Sequence, residues 1–212
     1  MRFQLSKTIL TIAFSVIFLI NFSGCATMNK SECTTANWEI IGLEDGSAGR
    51  NTSYIGEHRQ ACSEHNVAPD LEQYMKGHAA GLRQFCTENN GYQQGAKGAQ
   101  NNNICPANLA GAFQRGYKKG YRVYQMESQI NQLRRSIDGH EYRLKEISEI
   151  TASRESELIN RNTPEYRRRE LLSEIKELER ESEATHIEID EMRVALLRAE
   201  EDYQRLLYNQ GR

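Results

Sequence analysis

The sequence lacks the patterns that announce catalysis. It holds no Gly-x-Ser-x-Gly, no His-Glu-x-x-His and no P-loop, the spacings that expose a nucleophile, set two histidines on one helix face, or wrap amides around phosphate. Charge of one sign is also missing. Without Arg2 and Lys7, 25 of the 27 basic side chains remain against 29 acidic ones, a formal charge of −4. Nucleic acid is therefore not an expected partner. The apolar run from Ile9 to Ile20 falls short of the roughly 20 residues that span a bilayer. The expectation is a protein that is not an enzyme, with no catalytic residues, cofactor or metal.

What is present begins with an export signal. Arg2 and Lys7 precede the apolar run, which leads into Phe22-Ser23-Gly24-Cys25. Residues 1–24 therefore read as a signal peptide, with Cys25 the first mature residue and the site of lipidation. Phe22 stands where leucine is usual, and an ordinary secretory signal that happens to contain a cysteine is the alternative. Each buried methylene adds about 0.8 kcal/mol of membrane affinity, and a second chain makes anchoring stable. By resemblance to bacterial lipoproteins, Cys25 would carry three chains. Ala26, where an Asp would favour inner-membrane retention, then implies the periplasmic face of the outer membrane. Residues 25–32 read as a lipidated tether.

The rest divides by composition. Gly, Cys and Asn concentrate before Met126, and charge concentrates after it. This predicts a stapled helical domain over 33–125 and a coiled-coil hairpin over 126–212, its first helix continuous with the base. Four cysteines remain, Cys33, Cys62, Cys86 and Cys105, an even number that reads as two disulfides in an oxidising compartment. The rival is a metal site at His58, Cys62 and His65, which no Cys-x-x-Cys pair supports. Coarse helices run from Thr34 to about Gly46, Ser53 to Asn66, Pro69 to Cys86, and onward from near Ala107. Asp45-Gly46, Gly49, Val67-Ala68-Pro69 and the Asn/Gly/Gln stretch from Asn89 to Asn103 read as breakers. An antiparallel pairing of the first two helices sets Cys33 near Cys62. Cys86 lies at the far end of the third helix from Cys62, roughly 25 Å away at 1.5 Å per residue. The expected bonds are Cys33–Cys62 and Cys86–Cys105.

An internal repeat is visible. Tyr74-x-x-Gly77-x-x-x-Gly81-x-x-x-Phe85 matches Phe113-x-x-Gly116-x-x-x-Gly120-x-x-x-Tyr124, with Trp38-x-x-x-Gly42-x-x-x-Gly46 a truncated echo. Glycine costs a helix about 1 kcal/mol relative to alanine, so a repeated pair on one face wants a reason. One is close helix approach, with aromatic rings over the bare backbone. The other is a ligand groove lined by Trp38, Tyr54, Tyr92, Tyr117 and Tyr121. Cys33, Trp38, Gly42, Asp45-Gly46, Cys62, Pro69-Asp70, Tyr74, Gly77, Gly81, Cys86, Asn90-Gly91-Tyr92-x-x-Gly95, Cys105 and Phe113 resemble an uncharacterised domain of small Gram-negative lipoproteins over about 33–124. The resemblance implies location and stapling, and no mechanism.

From Met126 the apolar period is heptad: Ile130, Leu133, Ile137, His140, Leu144 and Ile147, then Leu171, Ile175, Leu178, Ser182, Thr185, Ile189, Met192, Leu196 and Ala199. Thr163-Pro164-Glu165 reads as a helix restart, Thr capping and Pro at the first position. Numbering outward from this turn sets Ile137 against Ile189 and His140 against Thr185. Gly139 is a candidate bend. The fold class expected is all-α, a small disulfide-stapled base plus a long antiparallel coiled-coil hairpin. Three functions compete: a structural or protein-interaction lipoprotein with a periplasmic protein partner on the coiled coil, a binding module for peptidoglycan or another small envelope ligand, and an enzyme. Glu57, His58, Glu64, His65, Asp70 and Glu72 crowd one region without a convergent catalytic set.

Overall fold

The computed structural model describes residues 28–210. The expected signal peptide, 1–24, and the expected lipidation site, Cys25, lie outside them. The described residues form seven α-helices: α1 Lys30–Thr34, α2 Trp38–Ser47, α3 Ile55–Ser63, α4 Leu71–Phe85, α5 Glu88–Ala96, α6 Ala107–Ile159 and α7 Glu165–Gln210. Two compact units meet in sequence between Phe85 and Cys86. Each carries one tight helix pair and one disulfide, and the second also carries the hairpin.

In the first unit α2 packs along α4. Asparagine starts two helices here by accepting backbone N–H groups that would otherwise be orphaned: Asn29 takes the Glu32 amide, with Glu32 reaching back, and Asn37 takes the Ile40 amide. Met28, Cys33, Trp38, Ile55, Cys62 and Tyr74 make the core. Met28 is already part of it, its Sδ 3.9 Å from Cys62 Sγ, so folded structure begins inside the stretch expected to be tether. Cys33 and Cys62 are bonded, with Cα atoms 5.5 Å apart.

The glycines explain how α2 and α4 lie so close. A β-carbon on Gly77 would sit 1.8 Å from the Glu39 carbonyl oxygen, and one on Gly42 2.1 Å from that of Tyr74. Backbone meets backbone, with no ring between, so the expected aromatic cover over the bare helix face is absent at these positions. Only glycine permits this approach, and the resulting Cα–H···O contacts help offset its helix penalty.

The second unit repeats the device. Gly42, Gly46 and Gly49 recur 49 positions later as Gly91, Gly95 and Gly98, and Gly77 and Gly81 recur 39 later as Gly116 and Gly120. A β-carbon on Gly116 would lie 1.8 Å from the Glu88 carbonyl, the counterpart of Glu39. Gly49 and Gly98 both have positive φ, 74° and 69°, and each would push a β-carbon into a ring, Phe85 or its counterpart Tyr124. Thus the repeat is one of helix pairs, and Trp38-x-x-x-Gly42-x-x-x-Gly46 is the facing partner of the Tyr74 pattern, not its echo. The Asn/Gly/Gln stretch read as a breaker contains α5, capped by Thr87 on the Asn90 amide. It is helical because Gly91 and Gly95 meet the glycine face of α6. Cys86 and Cys105 are bonded, with Cα atoms 5.7 Å apart, again tying the start of a pair to its connecting segment.

Helix α6 runs unbroken through Gly139, where a β-carbon would meet nothing within 4 Å. It returns as α7 in an antiparallel hairpin whose seam buries Ile130, Ile137 and Ile147 against Leu171, Ile175, Thr185, Ile189 and Ala199. The Thr163 hydroxyl donates to the Glu157 carbonyl at the end of α6, at 2.6 Å, where carbonyls are otherwise orphaned. Arg168 does likewise for the Asn160 and Thr163 carbonyls.

Cross-helix ion pairs report the register. Glu157–Arg167 and Arg143–Glu181 lie within two residues of the expected alignment. His140 bonds Glu188, three residues beyond the Thr185 expected opposite, and Glu141 and Arg134 reach Arg193 and Glu200, farther along still. Side chains lean toward their own helix N-terminus. In an antiparallel pair, that lean lets long side chains such as those of Arg134, His140 and Glu141 meet α7 residues beyond the one directly opposite.

Candidate functional site

Asp45 lies inside α2, not in a break, and is 3% exposed. A buried carboxylate must be paired and fully hydrogen-bonded. Its Oδ1 accepts from Arg50 Nη1 at 2.8 Å, and its Oδ2 from His58 Nε2 and the Tyr74 hydroxyl, both at 2.8 Å. Arg50 also stacks 4.2 Å over the Tyr54 ring and gives its carbonyl to His78 Nε2 at 2.8 Å. Burial, and then the bond to Asp45, push the Tyr74 phenol well above its ordinary value, so it stays a donor.

His58 sits among rings, with Tyr54 edge-on at 5.2 Å, Tyr74 at 6.2 Å and Trp38 at 6.3 Å. Its Nδ1 is buried without a hydrogen-bond partner among the described residues. Asp45 on one imidazole nitrogen and an open second nitrogen is the geometry of an oriented base. Yet the His58 side chain is only 8% exposed. The arrangement fastens the 48–58 segment across the α2–α4 pair. Cys62, in the rival metal reading, is held in the disulfide, and among the described residues no group of three His, Cys, Asp or Glu is placed to hold a metal ion.

The five aromatic residues expected along a groove divide between the units. Trp38 and Tyr54 flank His58 in the first. Tyr92, Tyr117 and Tyr121 belong to the second, where Tyr117 and Tyr121 stack at 5.7 Å, nearly parallel at 11°. The Tyr117 hydroxyl donates to the Ala99 carbonyl, as His78 does to that of Arg50. Tyr117 and Tyr121 line a groove of about 810 Å³ with Lys118, Lys119, Arg122 and Gln210. Sequence reasoning missed Asp45, Arg50 and His78. The signal was an acid set between Gly42 and Gly46, on the face that the glycines mark for close packing.

Glycine-packed helix pairs, each stapled once, with a coiled-coil hairpin running from the second, define the class. Residues 37–122 match the family described as "Protein of unknown function (DUF2799)". That stretch covers both helix pairs and stops short of the hairpin. No curated protein and no solved structure matches the chain. Among the described residues, no helix is long and apolar enough to cross a membrane.

Proposed function

We propose that the protein is a lipid-anchored component of the cell envelope, held at the periplasmic face of the outer membrane through Cys25. Its coiled-coil hairpin is a docking arm for a periplasmic protein. The leader ending in Gly24-Cys25-Ala26 and two disulfides, which suit an oxidising compartment, support the location.

One observation carries the interaction reading. The hairpin closes a seam of its own, yet leaves Ile187 56%, Val194 47% and Leu197 62% exposed on neighbouring turns of α7. Apolar residues clustered on an already satisfied coiled coil mark a contact surface. A helical arm from Met126 to Ile159 is about 50 Å long at 1.5 Å per residue, enough to meet a partner away from the lipid surface.

Palmitate-analogue labelling tests the anchor. The wild type is expected to be tagged and to fractionate with outer membrane, and Cys25→Ser to be neither; an untagged, soluble wild type refutes the anchor. Photocrosslinkers at Val194 and Leu197 in cells, read by mass spectrometry, test the arm. A single protein captured from these sites, and not from exposed Tyr142, is expected. The same capture from all three sites, or none, ends the docking-arm reading.

A further inference from the structure

We propose that the groove on the second helix pair binds a sugar ring bearing an anionic group. This goes beyond the docking arm and uses none of the exposed apolar residues, Ile187, Val194 and Leu197, that carry that reading. Between Ala107 and Met126 the chain carries Arg115, Lys118, Lys119 and Arg122 and no Asp or Glu, in a protein whose net charge is −2. Two of these cations are compensated: Arg115 and Lys119 both pair with Glu88. Lys118 and Arg122 make no ion pair among the described residues, and both line the groove. Four residues apart on one helix, they repel each other, and an anion seated between them turns that repulsion into two charge-assisted contacts.

The rest of the groove matches a sugar. Tyr117 and Tyr121, half-buried, stacked and nearly parallel, offer apolar ring surface for the C–H face of a pyranose, with a wet rim. Gln125, Asn209 and Gln210 supply amides, each with donors and an acceptor suited to hydroxyls. Gln210 is fixed by donating from Nε2 to the Lys119 carbonyl at 3.1 Å. Its Oε1 is buried and has no partner among the described residues, an acceptor whose desolvation a ligand hydroxyl would relieve. The volume of about 810 Å³ lies in the range of small-molecule sites.

Ligand-observed NMR on the full chain with three probes tests this: N-acetylmuramic acid, N-acetylglucosamine, which lacks the 3-O-lactyl ether that carries the carboxylate, and inorganic phosphate. The acidic sugar is expected to bind at least about tenfold more tightly than either of the others, a difference of about 1.4 kcal/mol. Lys118→Gln combined with Arg122→Gln, at two exposed positions, should erase that advantage while leaving weak N-acetylglucosamine binding and the helical circular dichroism unchanged. Equal binding of the two sugars, phosphate binding as tightly as the acidic sugar, no binding of the acidic sugar at millimolar concentration, or an unaltered double variant overturns the proposal.

Discussion

The two helix pairs are built on one plan and filled differently. Both set glycine faces together, close a positive-φ glycine with a ring, and tie the start of the pair to its connecting segment by a disulfide. Where the first has Asp45, Arg50, Tyr74 and His78, the second has Gln94, Ala99, Phe113 and Tyr117. An amide replaces the buried acid, alanine replaces Arg50, and the aromatic rings of Phe113 and Tyr117 replace Tyr74 and His78. Close backbone packing tolerates either interior, because the glycines set the helix spacing without reference to the side chains around them. The first pair is thus held by glycine contact plus a polar lock, and the second by glycine contact plus stacked rings.

The largest separation between them should come from the lock. Asp45→Ala leaves His58 and Tyr74 donors buried and unpaired and is expected to cost roughly 3–5 kcal/mol. Gln94→Ala, which loses a bond to Asn90, should cost about 1 kcal/mol or less. Denaturant melts of both variants decide it, and equal losses would mean the Asp45 network contributes nothing special.

The shared plan predicts equality where the fillings predict difference. Gly77→Ala and Gly116→Ala each force a β-carbon to 1.8 Å from a carbonyl oxygen and should each cost about 3 kcal/mol. A harmless alanine at either position would break the equivalence. Loss of either disulfide should cost about 2–4 kcal/mol. With separations of 29 and 19 residues, the entropic parts differ by only about 0.4 kcal/mol. Cys62→Ser and Cys105→Ser paired with their partners' replacements measure this.

Glycine in the hairpin should behave in the opposite sense. Gly139 shares α6 with Gly116 but touches nothing, so Gly139→Ala is expected to stabilise by about 1 kcal/mol. A loss there would reveal a contact on that face. The hairpin's surface chemistry also answers to pH, whereas glycine packing does not. Hydrogen bonds from Arg167, and then the fields of Arg167 and Arg154, hold the Glu157 carboxyl below its ordinary 4.5. A depressed pKa adds stability above the unfolded value, lost as pH falls through the folded one. Glu157→Gln should therefore lower the hairpin's melting temperature at neutral pH, and the difference should fade as the solution is acidified below about pH 4.5. A difference independent of pH would assign the effect to packing.

The long elements were readable in advance because their causes are local. Heptad spacing from Ile130 to Ile147 and from Leu171 to Ala199 needs only each helix's own periodicity, and the turn at Asn160–Pro164 aligns them. The disulfides were readable because helix length limits which cysteines can meet. Helix α5 was not, since five asparagines and three glycines in residues 88–103 argue against a helix until the face of Gly116 and Gly120 is there to receive it. Asp45 was misread for the same reason: Asp-Gly is a turn signal unless the chain 13 and 29 residues away returns His58 and Tyr74 to its carboxylate.

Residue order alone therefore specified the hairpin, the cysteine pairing and the glycine positions, each governed by spacing along one or two helices. Which glycine faces meet, and whether a buried acid finds its donors, depend on segments distant in sequence coming together. Burial makes that decisive: the 1.8 Å approach at Gly77 and the 3% exposure of Asp45 exist only once α2 and α4 have closed on each other.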